Sequence, residues 1–240
     1  MKVAHVAWDG GVGGIERLVH DVALTQHRAG EDVTVVFGRA EGPFADRLRR
    51  AGVPLVDLGL RSHRHASPRA LATVRASFAA VDVVHLHTLS PAIVLPVTLV
   101  RRPPLVFTEH LPLASAGVTY RVCESAFLRL RAAAVVPVSD YVGGLVTSRL
   151  RIRPWPTIAN GVLLDGEIAA EREACVLPED DGRPTVAFVG RLSDSKRADR
   201  LLDAAARCDG HPVRILVVGD GPARRDLEEQ TDRLGLRDAV

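Results

Sequence analysis

The chain has 240 residues, 47% of them apolar and 25% charged, with a formal net charge of +2. That balance describes one large or two smaller globular domains. It excludes a disordered chain and gives no global electrostatic case for nucleic acid. Cys123, Cys175 and Cys208 lack CxxC spacing, which points to a reduced, cytoplasmic protein without a structural zinc site.

The first apolar run, VAHVAW (3–8), reads as a strand and not as a signal peptide, because GGVGG follows it at once. Behind that loop, Ile15, Leu18, Val19, Val22 and Ala23 recur at helical spacing, and Gly30 is a natural stop. Further strand-like runs are DVTVVF (32–37), VPLVDL (53–58), VDVVHLH (81–87), PLVFTEH (104–110), AVVPVS (134–139) and PTIANGV (156–162). Helical stretches separate them, so the pattern predicts an α/β domain of about seven parallel strands with right-handed crossovers. The longest apolar stretch, Pro91 to Val100, is interrupted by proline and too short to span a bilayer. From Asp165 to Asp181 there are seven acids and one arginine, an exposed connector. The runs PTVAFVG (184–190) and VRILVVG (213–219) then start a second strand–helix series, and LRDAV at the end reads as the start of a third strand. The domains expected are therefore 1–163 and 184–240, joined by 164–183. A parallel pair of strands, apolar on both faces, cannot cover itself. The second unit is expected to dock on something or to be part of a larger fold.

Three places carry candidate chemistry. The loop at 10–14 sits between a strand and a helix, where backbone N–H groups and the helix dipole favour an anion. It is a poor dinucleotide fingerprint. Gly11 and Gly13 match, but Glu16 stands where the third glycine belongs, and the second strand runs into Gly38-Arg39 without the companion acid. The second place is GRLSDSK (190–196). Of 31 basic residues only Lys2 and Lys196 are lysine. Arg191 at a strand end and Lys196 five residues on, at a helix start, therefore suit a diphosphate, one as a fork and one as a point charge. The third is histidine-rich. His85 and His87 share one face of a strand and His110 ends a neighbouring run; a three-histidine metal site competes there with wall and packing roles, and without a carboxylate or cysteine to complete it the metal is not expected. Residues 39–75 hold eight arginines against Glu41, Asp46 and Asp57, which reads as a solvated basic surface, with an anionic acceptor or membrane surface as the sharper alternative.

In order along the chain, GGIER (13–17), DVVHLHT (82–88), TEH (108–110), PVSDYV (137–142), ANGV (159–162), FVGRLSDSK (188–196) and VVGDGP (217–222) resemble the GT-B glycosyltransferases of family 4, retaining enzymes that use nucleotide sugars. The resemblance implies two facing Rossmann-like domains and transfer of a sugar from a nucleoside diphosphate to a hydroxyl acceptor such as a sugar, an inositol phosphate, a polysaccharide or a lipid-linked compound. It implies His110 as the catalytic-side residue near the transferred sugar. Gly13, Gly14, Arg191 and Lys196 would hold the donor diphosphate, and Glu16, His87, Asn160, Gly161 and Gly219 would line the cleft. The cations would stabilise the leaving diphosphate with no metal or other cofactor.

The chain departs from the family at Arg197, where a glycine usually follows the lysine, and at Ala159, where a proline usually precedes Asn-Gly. The family's Glu-x7-Glu segment does not follow VVGDGP (217–222) within these 240 residues. The reading therefore expects a truncated member, weak or inactive alone. The rivals are a non-catalytic acceptor-binding module, one half of a split enzyme with a separately encoded C-terminal half, and, more remotely, a sugar epimerase on the same fold. The expected location is cytoplasmic, with peripheral contact at the inner face of the membrane as the extension.

Overall fold

A computed structural model describes residues 1–65, 67–100, 102–110, 118–163, 182–208 and 213–240. The chain divides into two compact units, Met1–Asp165 and Gly166–Val240.

The first unit is a parallel sheet with helices on both faces. Its strands are β1 (Lys2–Asp9), β2 (Asp32–Arg39), β3 (Leu55–Asp57), β4 (Val83–Leu86), β5 (Leu105–Glu109) and β6 (Ala132–Pro137), in the spatial order β3-β2-β1-β4-β5-β6. The helices are α1 (Gly14–Arg28), α2 (Pro43–Arg50), α3 (Pro68–Phe78), α4 (Pro91–Thr98), α5 (Val118–Arg131) and α6 (Asp140–Leu145), the last running on into a π turn at Val146–Leu150. Residues paired across a parallel ladder share a face, and alternation separates two cores. Ala4, Val6, Val84, Leu86, Leu105 and Phe107 meet α3 to α6. Ala7, Val33, Val35 and Phe37 meet α1 and α2 through Val19, Ala23, Leu24, Ala45 and Leu48.

Local signals set the helix ends. Ser67 Oγ accepts the Ala70 N–H at the start of α3, and Ser139 Oγ accepts that of Val142 at the start of α6. The α1 helix stops as its sequence predicts. Gly30 takes φ 81°, and the bonds Gly30 N–H to His27 O and Glu31 N–H to Gln26 O close the last turn.

The expected seventh strand at 156–162 does not form. Residues 151–163 carry no regular structure, although Trp155 N–H reaches Val135 O and Ile158 N–H reaches Pro137 O beside β6. Pro154 and Pro156 lack the N–H groups that a ladder needs, so pairing stops at two bonds.

The second unit holds β7 (Thr185–Val189) and β8 (Arg214–Val218), a parallel pair, with a 3₁₀ turn at Asp194–Lys196, α7 (Ala198–Ala205) and α8 (Arg224–Arg233). Among its described residues the buried apolar ones are Leu192, Ala198, Leu202 and Ile215. LRDAV is a turn and not a third strand: Ala239 and Val240 both donate back to Leu236 O, and Ala239 O takes a single bond from Ile215 N–H. The acidic connector at 164–183 lies, except for its last two residues, outside the described residues, as does Cys175.

Candidate functional site

Strand order reverses between β1 and β4, the usual place for a ligand in an open α/β sheet, beyond the carboxyl ends of the strands. Three chain segments meet there: the loop after β1, the residues after β4, and the end of β5.

The loop is held from below. Gly10 N–H donates to Glu41 O, and Gly10 O accepts from Phe44 N–H, both at 2.9 Å. A Cβ at Gly10 would lie 2.5 Å from the Ala45 backbone, so Gly10 is required by packing, a need that reading the loop as an anion site misses. Gly13 is the N-cap of α1 in extended conformation, and its carbonyl accepts from Arg17 N–H at 3.0 Å. The Glu16 carboxylate folds back over Gly13. Burial raises the Glu16 pKa, its own backbone N–H lowers it and nearby Asp9 raises it further. Glu16 thus occupies the anion position at the helix start. Gly14 faces open space.

Beyond the α1-side core the sheet face turns polar. His5 of β1 pairs in register with His85 of β4, and His87 lies two residues on, so the three rings share one face. His5 and His87 are fully buried and His85 is half-buried. The His5 Nε2···Gln26 Oε1 distance is 2.7 Å, His5 Nδ1···His87 Nε2 is 3.2 Å, and His87 Nδ1···His110 Nε2 is 3.4 Å. His85 Nε2 meets Thr108 Oγ1 at 2.7 Å, and its ring lies 4.0 Å from that of His87. Burial drives all four rings toward the neutral form. It takes His110 down to about 4 and, helped by the neighbouring rings of His5 and His110, His85 to about 3; His5 and His87 are also lowered.

The sequence pairs His85 and His87 with His110, whereas the set with ligand atoms within 4.8 Å of one another is His5, His85 and His87. His5 goes unnoticed in the sequence because the β1–β4 adjacency belongs to topology. Burial holds the three imidazoles toward the neutral form, no carboxylate among the described residues joins them, and Gln26, Thr108 and His110 already engage ring nitrogens.

Above this layer opens a cavity of about 510 Å³, lined by Ile15, His63, His87, Glu109, His110 and Tyr120 among others. His63 stacks on Trp8 at 3.5 Å between ring centroids, and its backbone carbonyl accepts from Ser90 Oγ and Ala92 N–H, both at 2.9 Å. An apolar groove of about 240 Å³ shares Leu89, Pro91, Tyr120 and Glu124 with the cavity and continues past Val94, Leu95 and Phe127.

Of the residues singled out in the first unit, His87 and His110 wall the cavity. Gly13, Gly14 and Glu16 stand at the start of α1, and Asn160 and Gly161 lie exposed in the irregular segment. In the second unit Arg191 and Lys196 are exposed, and neither side chain has an ion pair or hydrogen bond among the described residues. Nearby arginines are engaged: Arg197 with Asp199 at 2.6 Å and Arg224 with Glu228 at 2.9 Å. Arg197 takes φ 56°, the left-handed conformation for which glycine is the usual residue. Gly219 packs its backbone on Gly190, and the two loops are tied by Gly190 N–H to Val218 O and Leu192 N–H to Asp220 O. Its requirement is close approach.

Residues 12–165 match the model of Glycosyltransferase Family 4, and residues 170–240 match that of glycosyl transferases group 1. The α-D-kanosaminyltransferase of Streptomyces kanamyceticus is 42% identical over 62 residues, 25% of this chain and 16% of that protein. A GDP-mannose-dependent α-mannosyltransferase of Mycolicibacterium smegmatis is 33% identical over 97 residues, 39% of this chain and 24% of its own length. These matches therefore span under a quarter of each curated relative. Among solved structures, Anabaena HepE in complex with UDP and glucose superposes with a TM-score of 0.78 at 21% identity, covering 100% of this chain and 68% of that one. WaaG, a glycosyltransferase involved in lipopolysaccharide biosynthesis, gives 0.62 at 17%, covering 99% and 68%. The fold is of GT-B type, and with a family model matched over more than half its length, the chain belongs to Glycosyltransferase Family 4.

Proposed function

We propose that this chain takes part in transfer of a sugar from a nucleoside-diphosphate sugar to a hydroxyl acceptor. The observation that carries the reading is the cavity at the sheet's switch point, walled by neutral His110 and His87 and bordered by Glu109 and by Ile15 in the first turn of α1. Neutral imidazoles exchange hydrogen bonds with sugar hydroxyls without attracting a competing anion. Arg191 and Lys196, unengaged among the described residues, are assigned to the diphosphate, where charge develops as the glycosidic bond breaks. Gly14, with open space before it, is assigned to an anion at the start of α1, and Glu16 must swing aside to admit one. No metal or other cofactor enters this reading.

The adjoining apolar groove supports an acceptor with an apolar part, such as a lipid-linked compound. Exposed Leu95, Leu99, Val118 and Val122 on or next to α4 and α5 would face the same part or the membrane that presents it. No helix among the described residues is long and apolar enough to cross a membrane.

The test is transfer or slow hydrolysis of UDP-glucose and GDP-mannose by the 240-residue chain, with and without a lipid-linked acceptor. His110→Ala should lower the rate by about 10²-fold and leave nucleotide affinity within about threefold, under 1 kcal/mol. An unchanged rate in His110→Ala would remove the cavity from the chemistry. Absence of binding by both nucleotide sugars would remove the proposal.

A further inference from the structure

Three histidines form a line that ends at the cavity wall. Gln26 on α1 meets His5 on β1, His5 meets His87 after β4, and His87 meets His110 after β5, which walls the cavity. Each neutral imidazole has one N–H and one lone pair. In such a line every ring must donate in one direction and accept from the other, so the state at one end fixes the state at the other. The contact with Gln26 sets the direction. At 2.7 Å it is short even for N–H···O and too short for N–H···N, so the amide oxygen accepts and His5 donates through Nε2. His5 Nδ1 then accepts from His87 Nε2–H, and His87 Nδ1 accepts from His110 Nε2–H.

We infer that Gln26, His5 and His87 are positioning residues that fix the tautomer of His110, so that its remaining nitrogen, Nδ1, offers a lone pair to whatever fills the cavity. The inference rests on the sugar reading only for its consequence: the group meeting His110 is a hydroxyl that donates, as a sugar or acceptor hydroxyl can and a carbonyl cannot. The line is built to hold its rings. His85 is anchored by Thr108 and lies 4.0 Å from His87 at 37°, and the His5 and His85 rings are 5.1 Å apart, so His87 has little room to turn. His87 N–H also donates to Val6 O, which ties the start of this segment to β1. Gln26 holds the far end from a single turn of α1, a helix end closed by Gly30.

The test is long-range ¹H–¹⁵N spectroscopy of the imidazoles in the ¹⁵N-labelled 240-residue protein, which distinguishes a protonated ring nitrogen from a bare one. His5, His87 and His110 should all be protonated at Nε2 and bare at Nδ1. Gln26→Leu removes the acceptor and should lower the Nε2-to-Nδ1 tautomer ratio of His110 about fivefold, the worth of one neutral hydrogen bond. Gln26→Glu, which can only accept, should restore it. His110 protonated at Nδ1 in the parent protein, or a ratio unmoved by Gln26→Leu, would overturn the inference. So would equimolar Zn²⁺ shifting the His5, His85 and His87 nitrogens together, because the group would then be a metal site. These readouts need no substrate. If they hold while UDP-glucose and GDP-mannose leave the spectra unchanged, the sugar reading fails and the histidine line stands. Where transfer is measurable, Gln26→Leu should lower kcat about fivefold with KM for the donor unchanged.

Discussion

The strands β1 and β7 start from similar text, VAHVAW and TVAFVG, and end in opposite surroundings. Val3 to Ala7 are all buried, whereas Val186 is 42% and Val189 76% exposed. The difference lies in neighbours. The β1 strand has β2 and β4 at its edges and helices over both faces; among the described residues β7 pairs with β8 alone. Apolar patterning tells where a strand forms, but burial depends on how many other elements reach it. The contrast extends to chemistry. Burial in the first unit strips histidines of charge and lines them up beneath a cavity. The second unit holds its distinctive groups, Arg191 and Lys196, charged and exposed.

This contrast can be broken by mutation. Leu86→Ala, in the core shared by β4 and its helices, should cost the first unit about 2–5 kcal/mol, read from the denaturation midpoint at constant m-value. A cost below about 1 kcal/mol would mean that this core is looser than drawn. Acid should act next. The pKa values of His110 and His85 lie below their ordinary 6.5, at about 4 and about 3. The unfolded chain therefore binds protons first as pH falls. Stability from these groups is complete above about pH 6.5, declines from there to about pH 4 for His110 and about pH 3 for His85, and then levels. Thermal melts across that range should show the decline, and His85→Phe should flatten it.

Smaller effects belong to the second unit. Arg191→Ala or Lys196→Ala should weaken nucleoside-diphosphate binding about tenfold or more, the worth of a charged hydrogen bond, and leave the melting temperature unchanged because both side chains are exposed. Arg197→Gly should relieve about 1 kcal/mol of left-handed strain. It should show less than that as a gain, since glycine frees the unfolded chain and the contact with Asp199 is lost. Val189→Thr should change stability by less than about 0.5 kcal/mol; a large loss would show that something covers β7.

Much of this architecture is legible in the sequence. The alternating runs give the parallel α/β class, Gly30 gives the end of α1, and the ordered motifs give the family. The failures have physical causes. PTIANGV has the composition of a strand, but the prolines at 154 and 156 remove the donors that would pair it. LRDAV repeats the rhythm of an earlier strand approach, yet it folds back on Leu236. At the site, His87 and His110 are visible as a spacing, whereas His5 and Gln26 become partners only when β1 lies beside β4 and α1 crosses above. Gly10 is silent for the same reason, since its constraint is Ala45, thirty-five residues away.

The most direct test of the account is a titration of the ¹⁵N-labelled 240-residue chain with UDP and GDP, followed by amide chemical shifts. Saturable changes are predicted at Gly13, Gly14 and Glu16 and along 190–197, and they should weaken in Lys196→Ala. Shifts confined to other surfaces, or none with either nucleotide, would contradict the assignment of these residues to a nucleotide-sugar diphosphate.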